Sequence, residues 1–380
     1  MEKPKNPVFY VTRDLERAAA LPESDTYKII SGEGSRDTFE LLSDPKILKQ
    51  IKKEKGSVLV FKNNIQIEEF LKKEGIELLN PSATLAEKVE NKITQVAWLE
   101  DLEKLLPPHE IKLVKDIVWN KKPFIVQWSH SHTGDGTLLI QKESDLDEIK
   151  KKFPEREARV TEFVRGPMFT ANVVISGADI LLGNISYQIT GTLPFTDNPF
   201  STIGNDWSLT HSILTEAHIK EFETLAALVG SKLLAEGWKG LFGIDVIYNE
   251  ELDTLSLIEI NARQPASTTY ESQIQESFRK EGIPGITTFE AHLSALTNTP
   301  ITAALIPIND GAQIIQRVTK LVTKVNPSKL EKAGYNVIVY GNTKINSDLA
   351  RIQSLQGIME THNKLNKRGK EIIELLDSNS

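Results

Sequence analysis

The amino-acid sequence predicts a mixed α/β and α+β protein with more than one lobe, and three observations support this prediction. The first 90 or so residues alternate short apolar runs with helical patterns, as expected for a small open parallel sheet. From about residue 110 the pattern changes to paired strands joined by loops. A chain of 380 residues is also long for a single hydrophobic core.

The N-terminal region is predicted to form βαβ units. Strands are predicted at 8–11, 27–30, 57–61 and 76–79, and helices at 13–21, 41–53 and 67–73. Gly32 and Gly34 follow the second strand in the manner of a dinucleotide-binding loop, but Asp37 stands at the third glycine position. We therefore interpret this segment as a turn and keep a nicotinamide oxidoreductase as an alternative.

The remainder of the chain is rich in predicted strands. Strands at 123–128 and 137–141 flank the loop 129–136, and strands at 158–164 and 169–175 flank the turn at Gly166. Another strand is predicted at 180–189, a helix at about 215–236, and a hairpin from 241–248 and 255–260. The stretch after Gly311 mixes strands and helices, which predicts a smaller final lobe.

Composition and charge exclude several classes of function. Cysteine is absent, so disulfides, thiol nucleophiles and Cys-ligated zinc are excluded. A net charge of −7 without a basic block argues against a nucleic-acid partner. No apolar run approaches the ~18 residues of a membrane helix, and the N-terminus lacks the apolar segment of a secretory signal. We expect no membrane association and a cytoplasmic location.

The most informative residues lie in the predicted hairpin. Glu259, Asn261 and Arg263 alternate with apolar residues, so a strand would present all three on one face. If the turn is centred near Leu252, Asp245 lies opposite Glu259 on that face. Two carboxylates and an amide oxygen would then converge beside a guanidinium, a set that suits Mg²⁺, with Mn²⁺ as the alternative metal. An ordinary polar face of an exposed hairpin is the competing interpretation.

Asp245, followed by Glu259-x-Asn261-x-Arg263 at the close of a hairpin, resembles the magnesium site of the ATP-grasp superfamily. Biotin carboxylases, D-alanine ligases and amino-acid ligases are members. The resemblance implies an ATP-grasp fold in which two α+β lobes clamp ATP. The implied divisions are an N-terminal βαβ lobe at 1–92, an ATP-grasp domain at 93–305 with a small lobe at about 110–165 and a large lobe at about 166–305, and a small C-terminal α+β lobe at 306–380.

The resemblance also implies residues that contact ATP. Lys92 ends the link from the first lobe, the loop 129–136 is similar to the family's mobile glycine-rich flap, and the segment 161–166 is similar to its adenine-binding hinge. Family members usually carry a lysine where this chain has Gln127, and often a ribose-binding acid where it has Met168. The expected ATP contacts are Lys92, Gln127, His130, His132, Gly134, Gly136, Glu162 and Val164.

The function implied by the resemblance is ATP-dependent ligation of a small carboxylate to an amine or a similar nucleophile. The carboxylate would be activated as an acylphosphate, with Arg263 as the catalytic residue that steadies it. An ATP-binding protein without ligase turnover, such as a sensor or an assembly subunit, is the alternative that Gln127 and Met168 favour. A biotin-dependent carboxylase component is a further alternative, although the chain has no Met-Lys-Met signal. Family habit suggests a homodimer.

Overall fold

The N-terminal region forms a three-stranded parallel sheet flanked by helices. The computed structural model describes residues 6–22, 24–32, 34–129 and 136–377. The central strand β1 (Val8–Thr12) pairs with β2 (Tyr27–Ser31) on one side and with β3 (Ser57–Val60) on the other. The accompanying helices are α1 (Thr38–Leu42), α2 (Pro45–Lys53) and α3 (Ile65–Glu74). The predicted parallel sheet is therefore confirmed.

Three local predictions in this region need correction. The single helix predicted at 41–53 is two helices, because the Asp44 side chain caps α2 on Lys46 N and Pro45 fits only a first turn. The helix predicted at 13–21 is a 3₁₀ turn, Leu15–Ala18. The strand predicted at 76–79 amounts to one bridge, between Val58 and Leu78.

A linking segment then leads into a four-stranded antiparallel sheet. The link contains α4 (Ala83–Glu90) and α5 (Thr94–Leu99). One face of the sheet packs against Leu146 and Ile149 of α6, and Gln127 and Arg159 lie on the opposite face. The elements, with the strands in spatial order β4-β7-β5-β6, are β4 (His109–Leu113), β5 (Phe124–Trp128), β6 (Thr137–Ile140), α6 (Glu143–Lys152) and β7 (Glu157–Glu162).

The large sheet has nine strands in the order β13-β12-β8-β10-β11-β14-β16-β15, with β9 beside β8. Where one strand was predicted at 180–189, the structure has two, β9 and β10. The first six strands and their helices are β8 (Met168–Ser176), β9 (Asp179–Leu182), β10 (Ser186–Thr190), β11 (Thr202–Asp206), α7 (Thr210–Ile213), α8 (Glu216–Ala235), β12 (Gly240–Asn249), β13 (Thr254–Asn261), α9 (Thr268–Lys280) and α10 (Thr288–Leu296).

The C-terminal segment contributes to this same sheet. Its elements are β14 (Ala312–Arg317), α11 (Pro327–Lys332), β15 (Asn336–Val339), β16 (Asp348–Ser354), β17 (Met359–Thr361), β18 (Lys364–Leu365) and α12 (Lys367–Asp377). Strand β14 pairs with β11, and β16 and β15 follow. The lobe boundaries stay a prediction, and the structure adds that three C-terminal strands extend the large sheet.

The two faces of the large sheet differ in polarity. One face carries the main hydrophobic core, to which α8 contributes Phe222, Leu225 and Val229 and α4 contributes Val89. The opposite face carries buried polar side chains and is covered by α9, α10 and the N-terminal lobe. Among the helices of the described residues, none has both the length and the apolar character needed to cross a membrane.

A buried ion pair joins the two ends of the chain. Arg351 on β16 donates from Nε to Glu16 Oε2 at 3.1 Å, and both side chains are less than a tenth exposed. Tyr340 donates a hydrogen bond to the same carboxylate. Burial alone would raise the pKa of Glu16, but the guanidinium groups of Arg351 and Arg17 outweigh it and hold that pKa below its ordinary value.

Replacing Arg351 should destabilise the protein strongly. We expect Arg351→Met to lower the free energy of unfolding by about 3–5 kcal/mol, since it removes the more deeply buried guanidinium and leaves only Arg17, at 3.5 Å, beside the Glu16 carboxylate. Arg36→Met, which removes the exposed pair between Arg36 and Asp44, should change the free energy of unfolding little, because solvent screens that pair. Urea-induced unfolding of both variants checks this difference.

The same pair predicts a pH dependence. The folded pKa of Glu16 lies below its unfolded value, so the pair stabilises fully above the unfolded pKa and is lost as the pH falls through the folded one. The stability gap between wild type and Arg351→Met should therefore shrink below about pH 4. A gap that stays constant down to pH 3 would contradict the assignment.

Candidate active site

The β12–β13 hairpin brings the predicted metal ligands together. Asp245 pairs directly with Glu259, and Gly243 pairs with Asn261. The next pair towards the tip is Val246 with Leu257, so the register shifts by one and Ile258 is an extra, bulged residue on β13. The predicted alignment of Asp245 with Glu259 is confirmed, and this bulge sets it. Asn261 Nδ2 donates to Asp245 Oδ2 at 3.2 Å.

The two carboxylates of this hairpin carry an electrostatic cost. Burial, and next the charge of Glu259, raise the pKa of Asp245 well above its ordinary value, while Thr170, Gln188 and Lys92 oppose the shift. A cation between the carboxylates would relieve this repulsion. Across the described residues, no three His, Cys, Asp or Glu side chains form a metal site by themselves. A metal here would need an amide oxygen from the hairpin and ligands from substrate or water, as Mg²⁺ often does.

Lys92 lies directly against these carboxylates. Its backbone N–H, in the turn between α4 and α5, donates to Ser129 O at 3.1 Å. Its Nζ lies 2.6 Å from Glu259 Oε1, and the side chain is 3% exposed. Burial lowers the pKa of Lys92, and the Glu259 carboxylate opposes that shift. The structure thus brings together four of the predicted residues: Lys92, Asp245, Glu259 and Asn261.

Sequence reasoning missed one cation of this site, Arg159. It stands opposite Gln127 in the β5–β7 pairing, and its Nε and Nη2 donate to Gln127 Oε1 at 3.0 and 2.6 Å. Burial lowers the pKa of this guanidinium to about 10, and Glu259 opposes the shift. The available signal was a lone arginine inside a buried strand, but its register with Gln127 could not be read from the sequence.

Arg263 has a different partner. Its Nη1 donates to Glu90 Oε1 on α4, and Lys62 binds the other oxygen of Glu90 at 2.6 Å. Burial would raise the pKa of Glu90, but Arg263 and Lys62 outweigh it and lower that pKa. The guanidinium is therefore held at the junction of the N-terminal lobe and the hairpin, and its catalytic role remains a prediction.

The predicted hinge does connect the two sheets. Strand β7 ends at Glu162 and β8 begins at Met168, so the two strands predicted around Gly166 belong to different sheets. Glu162 is exposed and Val164 is half-buried. Gly166 has φ +148°, and a Cβ there would lie 1.9 Å from Tyr248 O, so only glycine fits.

The predicted flap lies largely outside the described residues. His130, His132 and Gly134 fall in this part, and nothing in the structure bears on them. Gly136, at its end, is buried and accepts a hydrogen bond from Trp128 N at 3.1 Å. Gln127, on β5 two residues before the loop, is also buried.

A row of buried polar side chains crosses the large sheet from β10 to β16. Asn205 donates to Ser186 Oγ at 3.1 Å, Gln313 donates to Asn205 Oδ1 at 3.0 Å, and Arg351 donates to Gln313 Oε1 at 3.0 Å. The row ends at a small cavity that Arg17 and Arg351 help to line. Polar residues at alternate positions of several strands were visible in the sequence, but their alignment depended on sheet order.

Comparisons with known proteins concern the domain and the fold that carry this site. Residues 89–267 match the family model described as the ATP-grasp domain. The match runs from the last turn of α4 to the residue before α9, and so includes the small sheet, the hinge and the β12–β13 hairpin. Among curated proteins, none matches the chain.

Solved structures share the fold over nearly the whole chain. N5-carboxyaminoimidazole synthetase from Staphylococcus aureus, complexed with ADP, is 14% identical with a TM-score of 0.69, covering 100% of this chain and 99% of that one. The Aspergillus clavatus synthase, in complex with ADP and 5-aminoimidazole ribonucleotide, is 14% identical with a TM-score of 0.67, covering 98% and 99%. An L-amino acid ligase from Bacillus licheniformis is 13% identical with a TM-score of 0.63, covering 99% and 98%.

The hinge contact makes a testable prediction. Gly166→Ala should lower the melting temperature more than Gly177→Ala, because a Cβ at 166 collides with the Tyr248 carbonyl whereas one at 177 meets nothing within 4 Å. Gly177→Ala, at φ +60°, should cost only about 1–2 kcal/mol of backbone strain. Thermal unfolding followed by circular dichroism compares the two; equal losses would contradict the close hinge contact.

Proposed function

We propose that this chain, which belongs to the ATP-grasp superfamily, is an ATP- and Mg²⁺-dependent ligase acting on a substrate carboxylate. The observation that carries the proposal is the convergence of Asp245, Glu259 and Asn261 on one hairpin face beside the buried Lys92. Four groups that suit a metal–phosphate complex lie where the small sheet, the large sheet and the α4–α5 link meet. A purely structural hairpin has no need of that set.

The proposed site holds ATP between the two sheets. We assign the adenine to the hinge, at the Glu162 side chain and the Val164 backbone. The phosphates are assigned to Lys92 and to the residues of the predicted flap, which are His130, His132, Gly134 and Gly136.

The spacing between the hinge and the carboxylates suits a nucleotide. Asp245 pairs with Thr170, which lies two residues from the hinge end of β8. Arg159 lies three residues from the hinge end of β7. At ~3.3 Å per residue these positions are about 7–10 Å from the ends of their strands. That distance leaves room for a ribose between an adenine at the hinge and phosphates at the carboxylates.

The chemistry needs no protein nucleophile. A carboxylate oxygen of the substrate attacks the γ-phosphorus of ATP, and the bond to the departing ADP oxygen breaks. An amine then attacks the acyl carbon of the resulting acylphosphate, phosphate leaves with the bonding electrons, and the amine releases a proton. Asp245, Glu259 and Asn261 would hold Mg²⁺, which would neutralise charge on the phosphates. Lys92 adds a fixed positive charge, and we propose that Arg263 steadies the acylphosphate.

The substrate class proposed here is a small polar acid with an amine or similar nucleophile. The buried polar row, from Ser186 on β10 to Arg351 on β16, supplies amide and guanidinium groups on the large sheet, beginning two strands from the hairpin. The names of the similar structures point to two kinds of substrate, an aminoimidazole ribonucleotide and amino acids. Both kinds belong in the first activity screen. A cytoplasmic location and a homodimer are part of the same proposal.

An ATP-binding protein without ligase turnover is the second candidate. The observation that favours it is Gln127, a neutral side chain on the strand before the flap, together with the pairing of Arg263 to Glu90. Such a protein would bind Mg-ATP with the same residues and would release no ADP with any acid.

Nucleotide binding is the first test. Mg-ATP should raise the melting temperature of the wild type, by the equivalent of about 2.7 kcal/mol at roughly 100 times Kd, because a ligand stabilises the state that binds it. Glu259→Gln and Asp245→Asn should abolish the Mg²⁺-dependent part of this rise. Glu251→Gln, at the exposed tip of the same hairpin, should keep it.

Each variant is compared with its own nucleotide-free melting temperature, so a loss of intrinsic stability does not mimic a loss of binding. If no nucleotide raises the melting temperature of the wild type, the proposal is wrong. If the wild type binds Mg-ATP, ADP release is then measured with amino-acid pairs, and with aminoimidazole ribonucleotide plus a series of small carboxylic acids. ADP release that depends on a substrate supports the ligase. Binding of Mg-ATP without ADP release supports the second candidate, an ATP-binding protein without turnover.

A further inference from the structure

The buried guanidinium of Arg159 is an unusual feature of the small sheet. The residue is 2% exposed, and within the described part of the chain its hydrogen-bond acceptors are all neutral: Gln127 Oε1, Gln95 Oε1 at 3.1 Å and Ile258 O at 3.2 Å. Burying a charge among neutral groups is costly, because hydrogen bonds replace only part of the lost hydration. Its location therefore calls for an explanation beyond packing.

The hairpin supplies the charge that balances Arg159. Glu259 is the carboxylate whose charge stabilises Arg159, and the same carboxylate forms the ion pair with Lys92. Two buried cations thus share the charge of one glutamate, and Asp245 adds a second, weaker attraction for Lys92. If a divalent metal binds this carboxylate and neutralises it, both cations lose part of their negative counter-charge. An anionic ligand such as a polyphosphate would then supply that counter-charge.

Arg159 also fixes the orientation of Gln127. A glutamine amide has an acceptor end and a donor end, whereas a guanidinium only donates. Both hydrogen bonds from Arg159 are accepted by Gln127 Oε1, so Nε2 points away from the guanidinium. Nε2 lies 3.4 Å from Thr137 Oγ1, at the first residue of β6 after the loop 129–136. The donor end of the amide thus faces the loop side of the site.

We propose that Gln127 and Arg159 act together as a phosphate-binding unit, in which Gln127 Nε2 donates to a phosphate oxygen and Arg159 supplies the positive charge from behind. Arg159 is a positioning residue, because it acts through Gln127. The inference rests on the proposed function, since it assigns a role within the same nucleotide site.

A third contact links this unit to the hairpin. Arg159 Nη2 donates to Ile258 O, the carbonyl of the extra residue in the β13 bulge. That bulge sets Asp245 opposite Glu259. One guanidinium therefore contacts both the oxygen of the Gln127 amide and the backbone that aligns the carboxylates, which couples the phosphate-binding unit to the metal site.

Isosteric variants test the unit by isothermal titration with ATP, ADP and adenosine in the presence of Mg²⁺. Gln127→Glu keeps the shape of the side chain and a partner for Arg159, but it replaces the donor with a negative charge. We expect at least a tenfold loss of affinity for ATP and ADP and no change for adenosine. Arg159→Met should show the same selective loss if it folds.

The matched control is Gln141→Glu, which introduces the same charge at an exposed position just beyond β6. This variant should bind all three ligands as the wild type does. Comparing the three ligands on one variant separates a loss of phosphate binding from a general loss of the site, because adenosine carries no phosphate.

Relocating the charge provides the rescue. The double variant Gln127→Lys with Arg159→Met carries the cation on β5 instead of β7, and it should recover most of the affinity for ATP and ADP. Both changes are made together because a lysine at 127 would face the buried guanidinium of Arg159. A purely structural role for Arg159 would lower the affinity for adenosine and ATP together, and the double variant would then recover neither.

The outcomes separate this inference from the proposed function. If the wild type binds ATP and depends on Glu259, but Gln127→Glu binds ATP equally well, the phosphate-binding unit is wrong and the proposed function stands. If the wild type binds no nucleotide, both are wrong. A selective loss for phosphate-bearing ligands, with rescue by the double variant, supports the unit.

Discussion

The pairing of β12 with β13 is the constraint on which the site depends. Only the register that sets Asp245 opposite Glu259 brings both carboxylates and Asn261 to one point, and the extra residue Ile258 creates that register close to the strand end. Side chains in a strand alternate between faces, so pairing without the bulge would set Asp245 opposite Ile258 and place Glu259 on the other face of the sheet. The remaining groups of the site, Lys92 foremost, are arranged around this pair.

Those parts of the site that follow from local pattern could be predicted from the sequence. Alternation placed Glu259 and Asn261 on one face, and the hairpin length placed Asp245 near them. The Arg159–Gln127 pair could not be predicted in this way. Its members are 32 residues apart and meet only because β7 pairs antiparallel with β5, a choice of sheet order that no local pattern contains.

The same limit applies to the fold. The parallel N-terminal sheet was predictable because its strands and helices alternate along the chain, which restricts how neighbouring strands can pair. The C-terminal strands gave no such restriction: β14 has the pattern of a buried strand, and only its pairing with β11 shows that it extends the large sheet. The break between α1 and α2 was readable, since Asp44-Pro45 is a strong helix start.

Burial of charge explains why these sheets meet where they do. Lys92 and Arg159 are cations that water barely reaches, and Asp245 and Glu259 are carboxylates that repel each other. Each sheet or link alone would hold an unbalanced charge, at a cost that burial increases. Together the charges offset one another. When a metal and an anionic ligand bind, the carboxylates pair with the metal and the cations pair with the anion. The lobes therefore meet where opposite charges of the protein pair with each other, and the same charges would pair with the metal and the phosphates in the proposed complex.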